Sequence, residues 1–228
     1  LHDVSAAGCE FLIYARFVEQ ISWNDLSQKT VCVVPIYNEA EVLDSVLGSL
    51  TSLFPHVICV DDGSSDRSSQ IARARNVRVI RHSLNIGQGG ALATAFKCVG
   101  TERKYEFLVT FDSDGQHDPM DAKQMVQCLA SSDLDVVFGS RFLTGKAEGV
   151  PLFKRVMLRS IVWLNRKVTD VKLTDTHNGL RAIRVTSLRH LALTHFGMAH
   201  ATELVSLVLQ ANLKYREIPV QIRYTKYS

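Results

Sequence analysis

From Thr30 onward the chain alternates short apolar runs with helix-sized segments, and this alternation limits the fold more than any other feature. Residues 31–35, 56–60, 76–80, 106–111 and 134–139 each read as a strand, rich in β-branched residues and bounded by turn formers. Helix starts are expected at 38–41, with capping-box spacing, just after Ser65, at the alanine-rich 91–99, and at Asp118-Pro119, an aspartate cap with proline in the first turn. Strands separated by helices imply right-handed βαβ units and a mostly parallel central sheet, an α/β fold. After residue 151 the alternation lapses. Residues 152–168 suit a helix with Arg155, Arg159 and Arg166 opposite its apolar face. A short strand at 180–185, a helix at 201–211 and a strand at 215–224 interrupted by Pro219 follow.

Polar clusters follow four of the first five strands, at 61–66, 85–90, 112–117 and 139–141. In open α/β sheets ligands bind beyond the carboxyl ends of the strands, so this bias to one end argues for a site. The strand at 106–111 stops at Asp112 and Asp114, one residue apart. On an extended backbone both carboxylates point to the same side, where like charges favour a shared proton or a cation. Such oxygen ligands suit Mg²⁺ or Mn²⁺, and Gln116 can add a neutral oxygen. The alternative is a solvated Asp-Gly turn closing a strand.

The remaining composition excludes more than it selects. A net charge of +3, with no basic run interleaved with aromatics, gives no footprint for nucleic acid. Five scattered cysteines with no CxxC pair read as reduced thiols, three of them within apolar patterns. No apolar run approaches the length of a membrane span. Residues 1–29 lie outside the repeating pattern and read as an extension with a short helix, with Phe11, Leu12, Tyr14, Ala15, Phe17, Val18 and Ile21 giving it one apolar side.

Six segments together resemble glycosyltransferase family 2: residues 34–39, 60–66, 85–89, 112–117, 139–141 and 175–179. The likeness is greatest to the branch that transfers sugars to dolichyl and polyprenyl phosphates, and it covers about residues 30–225. It implies a glycosyltransferase A fold with a nucleotide-sugar half at 30–141 and an acceptor half at 142–225. It further implies that Pro35, Tyr37, Asn38 and Glu39 line the nucleoside pocket with Gly63, and that Asp61 or Asp62 accepts the base N–H. Capping of the following helix is the other role open to those aspartates. Asn85, Gly87 and Gly89 would approach the nucleotide, and Ser113 would lie beside it. Asp112, Asp114 and Gln116 would hold Mg²⁺ or Mn²⁺ against the diphosphate. Arg141 and Asp175 would stand with Asp114 in the catalytic set, and Arg141, Thr176 and Asn178 would meet the acceptor. Gln88 departs from the pattern, since many relatives carry Lys or Arg there.

The implied activity is inverting, metal-dependent transfer from a UDP- or GDP-sugar to a polyprenyl phosphate, at the cytoplasmic face of a membrane. A saccharide acceptor in cell-envelope glycan synthesis is the alternative within the family. The Glu-Asp pair and Gln-x-x-Arg-Trp motif of processive polysaccharide synthases are missing after the 175–179 loop. A NAD-dependent oxidoreductase would need a third glycine where Leu92 stands. Of the histidines, His177 could enter the site. His117, His195 and His200 read as structural or solvated, and Glu203 as a helix-end charge.

Overall fold

The computed structural model describes residues 22–143 and 173–223. Within them a seven-stranded sheet has the order β3-β2-β1-β4-β6-β5-β7. The strands are Thr30–Ile36 (β1), Val57–Asp61 (β2), Arg78–Arg81 (β3), Phe107–Thr110 (β4), Val136–Ser140 (β5), Arg181–Arg184 (β6) and Tyr215–Pro219 (β7). The helices are Trp23–Gln28 (α1), Leu43–Thr51 (α2), Ser68–Ala74 (α3), Gln88–Gly100 (α4), Pro119–Ala130 (α5) and His200–Gln210 (α6), with a 3₁₀ turn at Val185–His190. All strand pairings are parallel except those of β6, which runs antiparallel to both β4 and β5.

The period-two geometry of a strand explains how one sheet feeds two cores. Cys32, Val34 and Ile36 of β1, Cys59 of β2 and Val109 of β4 face one side, with Leu43, Leu47, Met125 and Leu129 of α2 and α5. Val31, Val33, Ile58, Val60 and Leu108 face the other, with Leu92, Phe96, Leu204 and Val208 of α4 and α6. Central strands buried on both faces need continuous apolar sequence, which is why β1 and β2 carry almost no polar residue. The last part of the 1–29 segment joins this core: Leu26 is buried, and the Trp23 ring meets Phe54 edge-on at 5.2 Å.

Several boundaries differ from the sequence expectation for local reasons. The helix expected at 38–41 begins instead at Leu43, because Asn38 takes a left-handed φ of 56°. The backbone N–H groups of Asn38, Glu39 and Ala40 then donate to Ser64, Ser68 and Asp66 instead of entering a helix. Helix α4 starts at Gln88, three residues early, where Gly87 at φ 99° turns the chain out of its extended path. The last strand stops at Pro219. Helix α5 follows the expected pattern, with Asp118 accepting from the Met120 N–H at 2.9 Å. Cys32, Cys59, Cys98 and Cys128 are free thiols. Among the described residues no helix is long and apolar enough to cross a membrane. The helix expected at 152–168 and the apolar stretch at 11–21 lie outside the described residues.

Candidate active site

The strand order reverses between β1 and β4, since the chain passes from β1 outward to β3 and returns to the other side of β1. That switch point is where the loops after β1 and β4 part and leave a crevice. A cavity of about 460 Å³ lies there, with Pro35, Tyr37 and Glu39 from the β1 end and Asp112, Ser113 and Asp114 from the β4 end. Asp62, Asn85, Gly87 and Gln88 close one side, and His177, Gly179, Arg181, Met198 and His200 close another.

The residues expected at the nucleoside divide into cavity walls and the scaffold behind them. Asn38 is scaffold: its Oδ1 accepts from the Ser65 N–H at 2.8 Å and ties the β1 loop to the β2 loop. Asp61 is fully buried, and its Oδ1 accepts from the Ser64 N–H at 2.9 Å, which holds the turn at Gly63 (φ 76°). Asp62 reaches the cavity, but its carboxylate also accepts from the Ile86 N–H at 3.0 Å and the Gly87 N–H at 2.7 Å. His82 Nδ1 lies 2.7 Å from the same group. Asp62 therefore fixes the 85–87 loop against the cavity. The glycines of that loop have a use that the sequence does not reveal. A Cβ on Gly87 would stand 2.3 Å from the Phe196 carbonyl oxygen, and one on Gly89 would stand 2.3 Å from that of His195. Gly89 also donates its N–H to Phe196 at 2.8 Å, so its missing side chain admits another part of the chain.

The paired carboxylates sit in unlike surroundings. Burial works to raise the Asp112 carboxyl. The His117 hydrogen bond and the nearby Arg181 and His200 outweigh it and hold the group below the usual range. His117 Nε2 lies 3.2 Å from Asp112 Oδ2, and the Gln88 amide donates to Oδ1 at 2.9 Å. For Asp114, burial and then the charge of Asp112 push the carboxyl up, against one hydrogen bond at 3.0 Å from the Gln116 N–H. Two carboxylates converge on one cavity, and one of them is held unfavourably as an anion, a donor set that suits a hard cation. Among the described residues no group of three or more His, Cys, Asp or Glu side chains converges as a metal site. Such a set matches the mode in which Mg²⁺-type ions use one or two carboxylates and complete their shell with phosphate oxygens and water.

The residues expected to meet the acceptor, and Asp175 with them, are not among those that line the cavity. Arg141 forks onto Asp175, Nε to Oδ2 at 2.7 Å and Nη2 to Oδ1 at 2.8 Å, with its backbone N–H on Oδ2 at 3.1 Å. Glu217 of β7 accepts from the Asp175 N–H at 3.0 Å and anchors that loop. Asn178 is buried with its Oδ1 on the Leu180 N–H, whereas Thr176 is half-buried beside the exposed His177. Three groups that the sequence reading left outside the site come to it: His200 in the wall, His117 behind Asp112, and Arg181. Arg181 opens a strand that carries a second arginine, Arg184, at its other end, so its residue type alone gave no signal.

Glu203 has a role beyond helix-end charge. It accepts from the Thr194 N–H and His195 N–H, both at 2.9 Å, and from the Thr194 hydroxyl at 2.5 Å. It thereby clamps the loop that packs on Gly87 and Gly89. Burial alone would raise its carboxyl, but these donors bring it down to about 2. A depressed folded pKa gives stability that is fully present above the unfolded value near 4.5 and lost as pH falls through about 2. Glu203→Gln is expected to cost on the order of 1–2 kcal/mol at pH 7, measured by urea melts, and the difference from wild type should shrink below pH 4.5.

The comparisons with known proteins agree with this geometry. The family model described as Glycosyl transferase family 2 matches residues 31–192. The chain belongs to that family. A UDP-N-acetylglucosamine–dolichyl-phosphate N-acetylglucosaminyltransferase of Methanococcus voltae is 29% identical, over 86% of this chain and 86% of its own. An undecaprenyl-phosphate mannosyltransferase of Micrococcus luteus is 32% identical, over 71% of this chain and 68% of its own. Among solved structures, glucosyl-3-phosphoglycerate synthase of Mycobacterium tuberculosis, in complex with Mn²⁺, UDP and phosphoglyceric acid, superposes with a TM-score of 0.67. The match is at 17% identity over 90% of this chain and 75% of that one. The protein is thus a family 2 glycosyltransferase with the glycosyltransferase A fold. The sheet reversal that opens its crevice is part of that fold.

Proposed function

We propose that this glycosyltransferase moves a sugar from a UDP- or GDP-sugar to a dolichyl or polyprenyl phosphate, with inversion, at the cytoplasmic face of a membrane. The observation that carries the reading is the cavity itself, with nucleoside-sized walls at Pro35, Tyr37 and Asp62 and the Asp112–Asp114 pair beside them. The names of the curated relatives support the acceptor class.

The chemistry is a single displacement. A phosphate oxygen of the acceptor attacks the anomeric carbon, the bond from that carbon to the diphosphate oxygen breaks, and the nucleoside diphosphate leaves with the electron pair. A polyprenyl phosphate is already ionised at neutral pH, so its attack needs no strong general base. Asp175, forked by Arg141, accordingly serves to fix the orientation of that arginine. Asp114, beside Asp112, offers the carboxylate for Mg²⁺ or Mn²⁺, with Gln116 as the neutral neighbour in the same turn. When bound, the ion supplies charge stabilisation for the departing diphosphate without a proton. Asp62 holds the 85–87 loop so that the nucleoside enters beside Tyr37, and the Phe196–Met198 loop covers the opposite wall.

A thermal-shift panel of UDP-, GDP- and dTDP-sugars, with and without Mn²⁺, tests the donor and the metal together. At a ligand concentration of about 100 times Kd the gain is about 2.7 kcal/mol, which raises Tm by several degrees in a domain of this size. The expected result is one base preferred and the shift largely lost on chelation. No shift with any nucleotide in the presence of metal would overturn the reading. Radiolabelled product that stays out of the organic phase when polyprenyl phosphate is supplied would overturn the acceptor assignment.

A further inference from the structure

Arg181 is the least explained charge among the described residues. It is 1% exposed, it lines the 460 Å³ cavity, and its Nε, Nη1 and Nη2 have no hydrogen-bond partner among those residues. The strand pattern explains how it comes to be there. β6 is antiparallel, so its first residue lies at the carboxyl ends of its neighbours β4 and β5, where Arg181 is in register with Thr110 and Phe138. Arg181 shares the sheet face of Ile183, two residues on, which packs with α4 and α6. The side chain therefore lies beneath the starts of those two helices, at the floor of the cavity.

A buried guanidinium stays protonated, and leaving its five donors unmet costs stability. Burial pulls the Arg181 pKa down, and the fields of Asp112 and Asp175 oppose the shift. Those two carboxylates are engaged elsewhere, Asp112 by Gln88 and His117, Asp175 by Arg141. The cation is attracted by its neighbours without being satisfied by them. Its open donors face a cavity with room for a ligand, and a planar fork of this kind matches phosphate oxygens two at a time.

We infer that Arg181 is a phosphate-binding residue of this site, held without a protein partner so that its fork can take an oxyanion of a bound substrate. The inference rests on the donor and acceptor classes proposed above, and the phosphate belongs either to the nucleoside diphosphate or to the acceptor. It also gives a physical account of Gln88: the cation missing at that position is supplied from the floor of the cavity, while the Gln88 amide orients Asp112.

The test uses Arg181→Met and Arg181→Lys in the full chain. Binding of UDP and GDP is compared with binding of uridine and guanosine, with Mn²⁺ present. In a second arm, farnesyl phosphate is compared with farnesol. Arg181→Met is expected to melt at or above the wild-type temperature without ligand, because a buried unmet charge has gone. It should lose at least tenfold of the affinity that phosphate groups add, leave nucleoside binding unchanged, and be partly rescued by lysine. A loss confined to the nucleoside diphosphates assigns the residue to the donor, and one confined to farnesyl phosphate assigns it to the acceptor. If wild type binds nucleoside diphosphates and Arg181→Met binds them and farnesyl phosphate equally well, the inference fails and the proposed function stands. If both variants melt well below wild type, Arg181 is structural and the inference fails. If wild type binds no nucleoside diphosphate at all, the proposed function fails and takes the inference with it.

Discussion

Asp114→Asn is expected to abolish sugar transfer, lowering kcat by about 10³-fold or more, while the fold stays intact. The size follows if Asp114 is, as proposed, a ligand of an ion that stabilises the departing diphosphate, an effect of several kcal/mol in the transition state. Stability should move little, because two terms oppose. Asparagine keeps an oxygen for the Gln116 N–H, and it removes a carboxylate that burial and the charge of Asp112 already disfavour. The same surroundings fix the sign of the pH effect in wild type. Asp114 binds a proton more readily than a free aspartate, proton and metal compete for it, and metal affinity falls as pH drops through its raised pKa. Steady-state transfer at several Mn²⁺ concentrations, alongside a thermal melt, checks both statements. Turnover retained by Asp114→Asn in the presence of chelator would sink the metal role.

Asp112 and Asp114 could be read from the chain because a buried strand declares itself as an apolar run and its end is marked by the first polar residues after that run. The loops after β1 and β2 were legible for the same reason. What stayed hidden depends on contacts between residues far apart in the sequence. Arg141 and Asp175 meet across thirty-four positions, and each alone reads as a polar residue in a loop. Glu203 holds Thr194 and His195 only because the chain doubles back before α6. The glycines at 87 and 89 were legible as close-approach positions, yet what approaches them is the Phe196 loop. Arg181 was invisible as a site residue, since whether a strand arginine faces solvent or a cavity is set by which strands flank it. β6 became a central strand by inserting antiparallel between β4 and β5.

Gly179→Ala carries the second large effect, and it arises from one contact. A Cβ on Gly179 would fall 1.9 Å from Asp112 Oδ2 and 2.5 Å from Asp112 Cγ. The backbone at 179 has little freedom to withdraw, because the Thr110 hydroxyl donates to the Gly179 carbonyl at 2.6 Å and fastens it to the end of β4. The carboxylate has to move instead, and moving costs it the His117 contact at 3.2 Å or the Gln88 amide at 2.9 Å. Stability should fall by about 1–3 kcal/mol, the usual range for forcing atoms into a packed site. Function should fall further. Asp112 is kept below the ordinary carboxylate range by His117 and Arg181, so a displaced Asp112 would lose the contacts that keep it ionised. The expected result is a drop of about 10²-fold in kcat/KM, since a misplacement near 1 Å at reacting groups has that effect, with a weaker response to added Mn²⁺. A variant with normal metal dependence and a lowered Tm would show that the contact between Gly179 and Asp112 serves packing alone. Asp112 follows β4 and Gly179 precedes β6, so the antiparallel pairing of those two strands is what brings the glycine against the carboxylate.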